Sequence, residues 1–424
     1  MNTSNHSFFA QNSLTFPNLI KWILIILLIG IFSGLASALF LVSLQFVTGY
    51  RENHSGIIWL LPFGGLLIGL LYYYFGKEVA KGNNLLLEEY DNPQRKIPLK
   101  MAPLVFIGTI ITHLFGGSAG REGTAVQMAG AIADQFPSIF KLSISERKTI
   151  IIIGISAGFA SVFGTPLAGA IFAIEVLYFS KVSIKSVIPS FATAYVAYFT
   201  VAILQVKHTH YSIPEIPAPN TSNLVFIAIV GILSGLAAML FSRSTHFWGK
   251  LFSEKIKYPP IRPVFGGIAI ALAVYFLGTV KYIGLGIPQI VDAFQNPSHS
   301  YDFLFKILFT GFTLGAGFKG GEVTPLFFIG ATLGSALSVI VPLPVALLAG
   351  MGFVAVFSGA THTPIACSVM GMELFGWHCG FYIGTACVIA YFCSGSLGIY
   401  HSQIVKGPKF LLYEKFKRKD VTNL

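Results

Sequence analysis

The chain has 424 residues, of which 54% are hydrophobic and only 11% are charged, with a net charge of +11. Its mean hydropathy of +0.72 excludes a soluble globular domain and indicates an integral membrane protein. Much of the positive charge lies in 406–424, so we expect this basic tail to be cytoplasmic. Nucleic acid is the other partner that suits a basic tail, but lipid headgroups explain it more simply, and we expect no nucleic-acid binding.

Uncharged stretches long enough to cross a bilayer, which takes about 20 residues, recur along the chain. Together they predict an all-α polytopic membrane protein, and the longest must contain more than one helix. Segment 1–17 lacks the features of a cleavable signal peptide, so we expect a cytoplasmic N-terminal segment and a retained first helix. The stretches are Trp22–Tyr50, Gly56–Gly76, Met101–Gly120, Thr149–Ile174, Ser186–Val206, Ile216–Ser242, Val323–Met372 and Leu374–Val405.

A polar interval from Gly76 to Lys100 follows the second apolar stretch. It contains Gly82-Asn-Asn-Leu-Leu-Leu87, whose first residues favour a break between helices. On composition, a plain surface loop suits the interval equally well.

The Gly-rich segment Gly116–Gly130 places Arg121 and Glu122 between two apolar runs. A charged side chain in a membrane helix costs about 2.5 to 3.5 kcal/mol on insertion scales, so a glutamate here is usually functional. The glycines allow backbone N–H groups at the start of the next helix to face inward, where Glu122 and a dissolved anion would compete for them. The alternative is a capped helix start with an Arg121–Glu122 ion pair at the membrane surface.

Thr149–Phe179 contains Thr165-Pro166, so we expect two shorter helices that meet there. The polar, Pro-rich linker 208–222 predicts a division between two halves, 18–207 and 223–405. His208 and His210 in this linker are half of a possible metal site, but no further ligands lie near them in the sequence.

The second half repeats the first. At an offset of 200 residues, five of twelve positions are identical, where composition alone gives about one. A second match, at an offset of 198, aligns Thr165–Glu175 with Thr363–Glu373. Interrupted segments at corresponding places in two halves are typical of transporters that bind substrate where broken helices meet. The five identities pair Gly120, Glu122, Thr124, Gly130 and Ala131 with Gly320, Glu322, Thr324, Gly330 and Ala331.

The duplication does not show whether the repeats are parallel or inverted. It does predict that four pieces converge: the Gly82–Asn84 break, the Glu122 segment, the segment Gly320–Pro325 and a part near the C-terminus. Glu322 itself has no predicted role beyond a charge at a helix N-terminus.

Several motifs resemble the CLC family of chloride channels and proton-coupled anion antiporters. Gly120-Arg-Glu-Gly-Thr124 is similar to the family's Gly-Arg-Glu-Gly-Pro motif, and Gly320-Gly-Glu-Val-Thr-Pro325 resembles its Gly-x-Phe-x-Pro motif. Gly82-Asn-Asn-Leu-Leu86 occupies the place of its Gly-Ser-Gly-Ile-Pro, and Phe163–Glu175 is also similar to the family. The likeness extends over about 18–405.

This resemblance implies a CLC-like fold of two inverted repeats of tilted and broken helices, in a homodimer with an anion pathway in each subunit. Glu122 is then the gating glutamate, which occupies an anion site when ionised and leaves it when protonated. Tyr400 matches the tyrosine whose hydroxyl helps to bind the anion; without the resemblance, an interfacial belt tyrosine is the simpler interpretation. The implied pathway backbone consists of Gly82, Gly120, Arg121, Gly123 and Gly321.

Departures from the family pattern resemble its fluoride-exporting branch. Asn83 replaces the serine that donates to chloride, and Thr124 replaces the proline after the gating glutamate's glycine. Val323 and Thr324 replace the phenylalanine and the small residue of the second motif. Val176 stands where the family's antiporters place an inner, proton-passing glutamate.

The chemistry of fluoride agrees with this branch. Fluoride is small and strongly hydrated, so a selective site must replace water with strong donors such as the Asn83 amide and the Tyr400 and Thr324 hydroxyls. For Asn83 the alternative is an Asn-capped turn without ligand contact. We therefore expect a fluoride/proton antiporter in which Asn83, Val323, Thr324 and Tyr400 bind the anion, and Glu122 and Thr324 couple it to protons. The alternative is a CLC chloride/proton antiporter or a passive CLC anion channel.

An intramembrane enzyme is the competing class, because His113, His362, Ser118 and Ser358 lie in apolar sequence. None of them has the spacing of a Gly-x-Ser-Gly or His-Glu-x-x-His motif, so we do not predict an enzyme. We expect neither a cofactor nor a metal. The predicted location is a prokaryotic plasma membrane, with multiple spans and a cytoplasmic C-terminus.

Overall fold

The computed structural model describes residues 16–177, 183–404 and 409–411. Within these residues the regular structure is helical, apart from one isolated bridge between two glycines. In the first half the α-helices are α1 Phe16–Asn53, α2 Leu61–Phe75, α3 Asn83–Asp91, α4 Met101–Phe115, α5 Glu122–Ala133, α6 Phe136–Ile139, α7 Ile144–Phe163, α8 Pro166–Val176 and α9 Val187–Ile203. In the second half they are α10 Thr221–Lys255, α11 Arg262–Leu277, α12 Ile287–Ala293, α13 Asp302–Gly315, α14 Val323–Ala336, α15 Val345–Thr361, α16 Pro364–Phe375 and α17 Gly380–Cys393.

The lengths of the helices fit a membrane protein with many broken spans. Among the described residues, five helical segments are long and apolar enough to cross a bilayer, and a further set of apolar helices is shorter. Helices satisfy their own backbone hydrogen bonds, as hydrocarbon requires, and the short ones end inside the protein. The prediction of an all-α polytopic membrane protein is therefore confirmed. The five segments are 17–53, 55–75, 184–203, 221–255 and 259–277.

The two halves have the same order of helices, except that a short 3-10 helix, Leu337–Val339, takes the place of the four-residue α6 in the second half. The long helices α1 and α10 have 38 and 35 residues, and each precedes a medium helix and then a very short one. The short helices are α3 with 9 residues and α12 with 7. The helices that follow the Gly-rich breaks, α5 and α14, have 12 and 14 residues. This agreement supports the internal duplication.

Helices α8 and α16 show that the repeats are inverted. Glu175, near the end of α8, accepts hydrogen bonds of 3.0 and 2.7 Å from the backbone N–H groups of Ile365 and Ala366, at the start of α16. Glu373, near the end of α16, accepts bonds of 3.0 and 2.7 Å from Leu167 and Ala168, at the start of α8. The two equivalent helices are thus antiparallel and each supplies the other's N-terminal acceptor, as a two-fold relation requires.

The predicted break at Thr165-Pro166 is confirmed. Helix α7 ends at Phe163, Gly164 adopts a left-handed conformation with φ of 75°, and Pro166 is the first residue of α8. Proline is suited to this position because the N–H that it lacks has no partner inside the helix.

Segment 204–220 lies between α9 and α10 and contains no helix. Helix α10 begins at Thr221, because the Asn220 side chain accepts a hydrogen bond of 2.7 Å from the Asn223 N–H. The helix therefore starts slightly before the end of the predicted linker 208–222, while the division into domains remains a prediction. Residues 1–15 and 412–424, which include most of the predicted N-terminal segment and basic tail, lie outside the described residues.

Helices α14 and α15 pack with their backbones in contact. A Cβ atom on Gly330 would overlap the carbonyl group of Gly352, and one on Gly352 would overlap the carbonyl of Gly330. Close approach of this kind is typical of small residues in membrane helix pairs. It holds in place the helix that carries Thr324.

We predict that Gly330→Ala lowers the free energy of unfolding by about 1 to 3 kcal/mol, the usual cost of overpacking. The added Cβ atom meets backbone atoms, which cannot move aside as a side chain can. The measurement is the apparent thermal unfolding midpoint in detergent. Gly49→Ala in α1 is the matched control, since a Cβ there meets nothing within 4 Å. Equal midpoints for the two variants would contradict the close packing of α14 on α15.

Candidate anion site

The two Gly-rich breaks meet at the centre of the protein. The Gly120 N–H donates to the Gly321 carbonyl at 2.6 Å, and the Gly321 N–H donates to the Gly120 carbonyl at 2.7 Å. This antiparallel bridge joins equivalent parts of the two repeats and brings the N-termini of α5 and α14 together. Both helix dipoles therefore favour negative charge in the same region.

Glu122, the first residue of α5, is bound by the start of α14. Its Oε2 atom accepts a hydrogen bond of 3.0 Å from the Thr324 N–H, and the Thr324 hydroxyl lies 2.7 and 2.6 Å from the two carboxylate oxygens. The carboxylate also accepts a bond of 3.2 Å from the Arg121 N–H. Glu122 is only 1% exposed, so the alternative of an ion pair at the membrane surface is wrong.

Asn83 lies at the start of α3, where the chain turns at Gly82 with φ of 60°. A Cβ atom on Gly123 would lie 2.9 Å from Asn83 Nδ2, which places the amide next to the residue that follows Glu122. The Asn83 Oδ1 atom is buried and has no hydrogen-bond partner among the described residues. The side chain does not cap α3, so an Asn-capped turn is not what the structure shows.

Tyr400 is positioned by contacts to two other elements. The Ile399 N–H donates to the carbonyl of Ala360 at 2.9 Å, and the Ser402 N–H donates to Asn84 Oδ1 at 3.0 Å. These bonds join the Tyr400 segment to the end of α15 and to α3. Within the described chain the Tyr400 hydroxyl has no hydrogen-bond partner, and the residue lines the same cavity as Asn83.

A cavity of about 520 Å³ leads to Asn83 and Tyr400, and we call it the vestibule. It is also lined by Glu322, which the sequence left without a role, and by the ammonium-bearing residues Lys81, Lys250 and Lys319. Lys319 Nζ lies 4.1 Å from the centre of the Tyr72 ring and has no carboxylate partner among the described residues. Lys319 is not among the site residues predicted from the sequence. Its position directly before the repeated Gly320–Glu322 match was the available signal.

A much smaller cavity, of about 20 Å³, lies beside Glu122. We call it the histidine pocket, because His208 from segment 204–220 lines it together with Arg121, Glu122 and Thr324. Glu122 lines this pocket and not the vestibule. The vestibule is lined by Asn83, whose amide lies next to Gly123, so neighbouring parts of the site line the two cavities.

The remaining predicted residues are buried near these groups. Val323 is the first residue of α14 and is 2% exposed, so among polar groups it offers only its backbone. The Arg121 Nε atom lies 3.6 Å from Glu122 Oε1. Val176 lines a cavity of about 10 Å³ with Asn83 and Tyr400. The wall of this cavity is therefore apolar at the position where the family's antiporters have the inner glutamate.

The residues considered for an enzyme do not form a catalytic pair. Ser118 Oγ lies 2.8 Å from the Thr310 hydroxyl, and Ser358 donates to the carbonyl of Cys387. His362 contacts Lys409 Nζ at 3.0 Å. Neither serine is bonded to a histidine in the described chain, so the geometry offers no activated nucleophile.

The fold and the paired Gly-rich breaks define a CLC protein. Residues 64–395 match the family described as "Voltage gated chloride channel", and the chain belongs to this family. CLC proteins are transporters and channels of the membrane, and the chain is an integral membrane protein of this kind.

Two relatives and one solved structure within this family are similar to most of the chain. A "Chloride/fluoride channel protein" from Pseudomonas syringae pv. tomato is 49% identical over 395 residues, which cover 92% of this chain and 87% of the relative. An "H(+)/Cl(-) exchange transporter ClcA" from Vibrio vulnificus is 26% identical and covers 82% of this chain and 80% of its own length. The crystal structure of a CLC-type fluoride/proton antiporter superposes with a TM-score of 0.89 at 34% identity, covering 93% of this chain and 100% of that one. These findings confirm the predicted fold class and family.

We predict that Asn84→Ala lowers the free energy of unfolding by about 1 to 2 kcal/mol, because it leaves the Ser402 N–H without its acceptor. Apparent thermal unfolding in detergent measures the change. Asn92→Ala, at the exposed end of the same helix, is the matched control. If both variants unfold at the wild-type temperature, the bond between α3 and the Tyr400 segment does not stabilise the site.

Proposed function

We propose that the protein is a fluoride/proton antiporter that exports fluoride, with Glu122 linking the movement of the two ions. The observation that carries this proposal is that the Thr324 N–H and hydroxyl bind the buried Glu122 carboxylate, while the Asn83 amide of the vestibule lies next to the following residue, Gly123. A site that binds a carboxylate with these donors also suits a small anion. The names of the relatives that mention fluoride support the choice of ion.

The mechanism is competition between the carboxylate and the anion. While Glu122 is ionised, it occupies the donors at the start of α14 and separates the vestibule from the histidine pocket. Protonation turns one carboxylate oxygen into a donor, and the hydroxyl of Thr324 is then free to bind fluoride. Each exchange of the carboxyl group for an anion therefore requires a proton, which couples the two flows.

Selectivity for fluoride follows from the donors around the vestibule's inner end. Fluoride holds water tightly, so a site must offer hydrogen bonds strong enough to replace its hydration. The Asn83 amide, whose Nδ2 group is a donor, and the Tyr400 hydroxyl both line the vestibule, and the hydroxyl has no hydrogen-bond partner within the described chain. We propose that both groups donate to the ion as it approaches Thr324 and Val323.

The lysines of the vestibule support its assignment to the cytoplasmic side. Positive charge concentrates on the cytoplasmic side of membrane proteins, and Lys81 and Lys250 lie at this cavity together with Lys319. Fluoride would then enter from the cytoplasm and leave past the histidine pocket. We further propose a homodimer in a prokaryotic plasma membrane, as the family resemblance implies.

A CLC chloride/proton antiporter or a passive channel is the second candidate. The passive channel is favoured by Val176, which leaves no acid on the apolar wall of the small cavity beside Asn83 and Tyr400. Flux measurements distinguish the three possibilities, because only a fluoride/proton antiporter moves fluoride and protons in opposite directions with little chloride flux.

We predict that Glu122→Gln abolishes proton movement coupled to fluoride, since glutamine imitates the protonated acid permanently. Purified protein is reconstituted in liposomes, and fluoride efflux and internal pH are recorded together with an ion-selective electrode and a pH dye. Glu215→Gln, at an exposed position in segment 204–220, is the control and is expected to behave as wild type. Coupled flux that survives in Glu122→Gln would refute the role of this carboxyl group.

We predict that Asn83→Ser reduces the preference for fluoride over chloride by about tenfold, which corresponds to ~1.4 kcal/mol, because the serine has a single O–H donor and a shorter reach. The measurement is the ratio of fluoride to chloride efflux rates in the same liposomes. Asn92→Ser serves as the control. An unchanged ratio in Asn83→Ser would remove this amide from the selectivity site.

A further inference from the structure

His208 is held in one orientation and one tautomer. Its Nδ1 atom lies 3.1 Å from the carbonyl oxygen of Val162. A carbonyl oxygen only accepts hydrogen bonds, so Nδ1 carries the hydrogen and Nε2 of the neutral ring carries a lone pair. The ring therefore presents a proton acceptor at Nε2.

That acceptor is buried without a protein partner. His208 Nε2 has no hydrogen bond among the described residues, and the same is true of the Arg121 Nε atom. Both residues line the histidine pocket with Glu122. Buried polar atoms are usually paired, and exceptions call for an ion, a water molecule or a functional role.

The pocket is large enough to connect these groups through one molecule. Its volume of about 20 Å³ suits a single water, which requires about 10 to 15 Å³ by this measure. Apart from Thr209 and Thr324, its other walls are aromatic or aliphatic: Phe163, Tyr211, Ile287, Phe327, Phe353 and Leu374. Water inside it is therefore directed to the few polar groups.

Besides the Glu122 carboxyl, the neutral His208 ring is the polar group of the pocket suited to take up and release a proton. A guanidinium group has no acceptor atom and a tyrosine hydroxyl is a very weak acid, whereas a neutral imidazole nitrogen accepts a proton. Burial and the Arg121 charge lower the pKa of His208 to about 4, and the neighbouring His210 acts in the same direction. The ring is thus neutral at rest and gives up a captured proton readily.

We propose that His208 relays protons between the solution on its side of the protein and the Glu122 carboxyl group. Nε2 accepts a proton from solvent, and the imidazolium passes it through one water to a carboxylate oxygen, after which the ring is neutral again. In reverse, the ring removes the proton from the acid. The inference rests on the proposed antiport function, and it assigns a residue to the proton's path on the pocket side.

His208→Gln tests the relay, because glutamine keeps an N–H for the Val162 carbonyl and loses the titratable nitrogen. We expect the rate of proton-coupled fluoride flux to fall by about 100-fold, at the lower end of what a positioned acid–base group contributes. His210→Gln is the matched control, since it makes the same change at an exposed position two residues away. Thermal unfolding of both variants checks that the fold is retained.

A second variant separates proton transfer from a structural role. In His208→Ala, imidazole added to the solution on the pocket side is expected to restore coupled flux, because it supplies the missing acceptor. Wild-type flux in His208→Gln, or a loss in His208→Ala that imidazole does not restore, would overturn the relay. If Glu122→Gln abolishes coupling while His208→Gln does not, the proposed function stands and this inference fails; if Glu122→Gln stays coupled, the proposed function itself fails.

Discussion

The structure depends on one small set of donors at the start of α14. The Thr324 N–H and hydroxyl bind the Glu122 carboxylate. Glu122 is only 1% exposed, and an unpaired charge is costly at such a buried position. The two hydrogen bonds between Gly120 and Gly321 hold the N-termini of α5 and α14 next to each other. Contact between the backbones of α14 and α15 then prevents α14 from shifting.

The surroundings differ on the two sides of this carboxylate. The vestibule is wide, holds several lysines and leaves space for a hydrated anion, whereas the histidine pocket holds about one small molecule. Positive potential in a cleft raises the local concentration of anions, and a narrow pocket removes their water. In the proposed direction of transport, an ion would thus meet attraction first and dehydration second.

Much of the fold and of the site was predictable from the sequence, because the motifs that carry Glu122, Thr324 and Asn83 are short and local. The break at Thr165-Pro166 was also predictable, since proline acts on its own helix. The inverted arrangement was implied only by the family resemblance, because the repeat match alone contains no direction. His208 could not be placed at the site, since its position depends on packing between distant segments, as its contact with the Val162 carbonyl shows. For Lys319 the neighbouring Gly320 was a signal, but its contact with the Tyr72 ring could not be predicted.

The exchange of carboxylates between α8 and α16 has a consequence for biogenesis. The N–H donors that bind Glu175 lie about 190 residues further along the chain. Until α16 has been synthesised, the Glu175 carboxylate and the N-terminus of α8 therefore lack these partners. Either half alone would lack the carboxylate that binds the N-terminus of its own helix, α8 or α16. Two separate polypeptides would have to be inserted together for these hydrogen bonds to form. Because α8 and α16 each need the other's carboxylate, a single chain that carries both repeats is favoured.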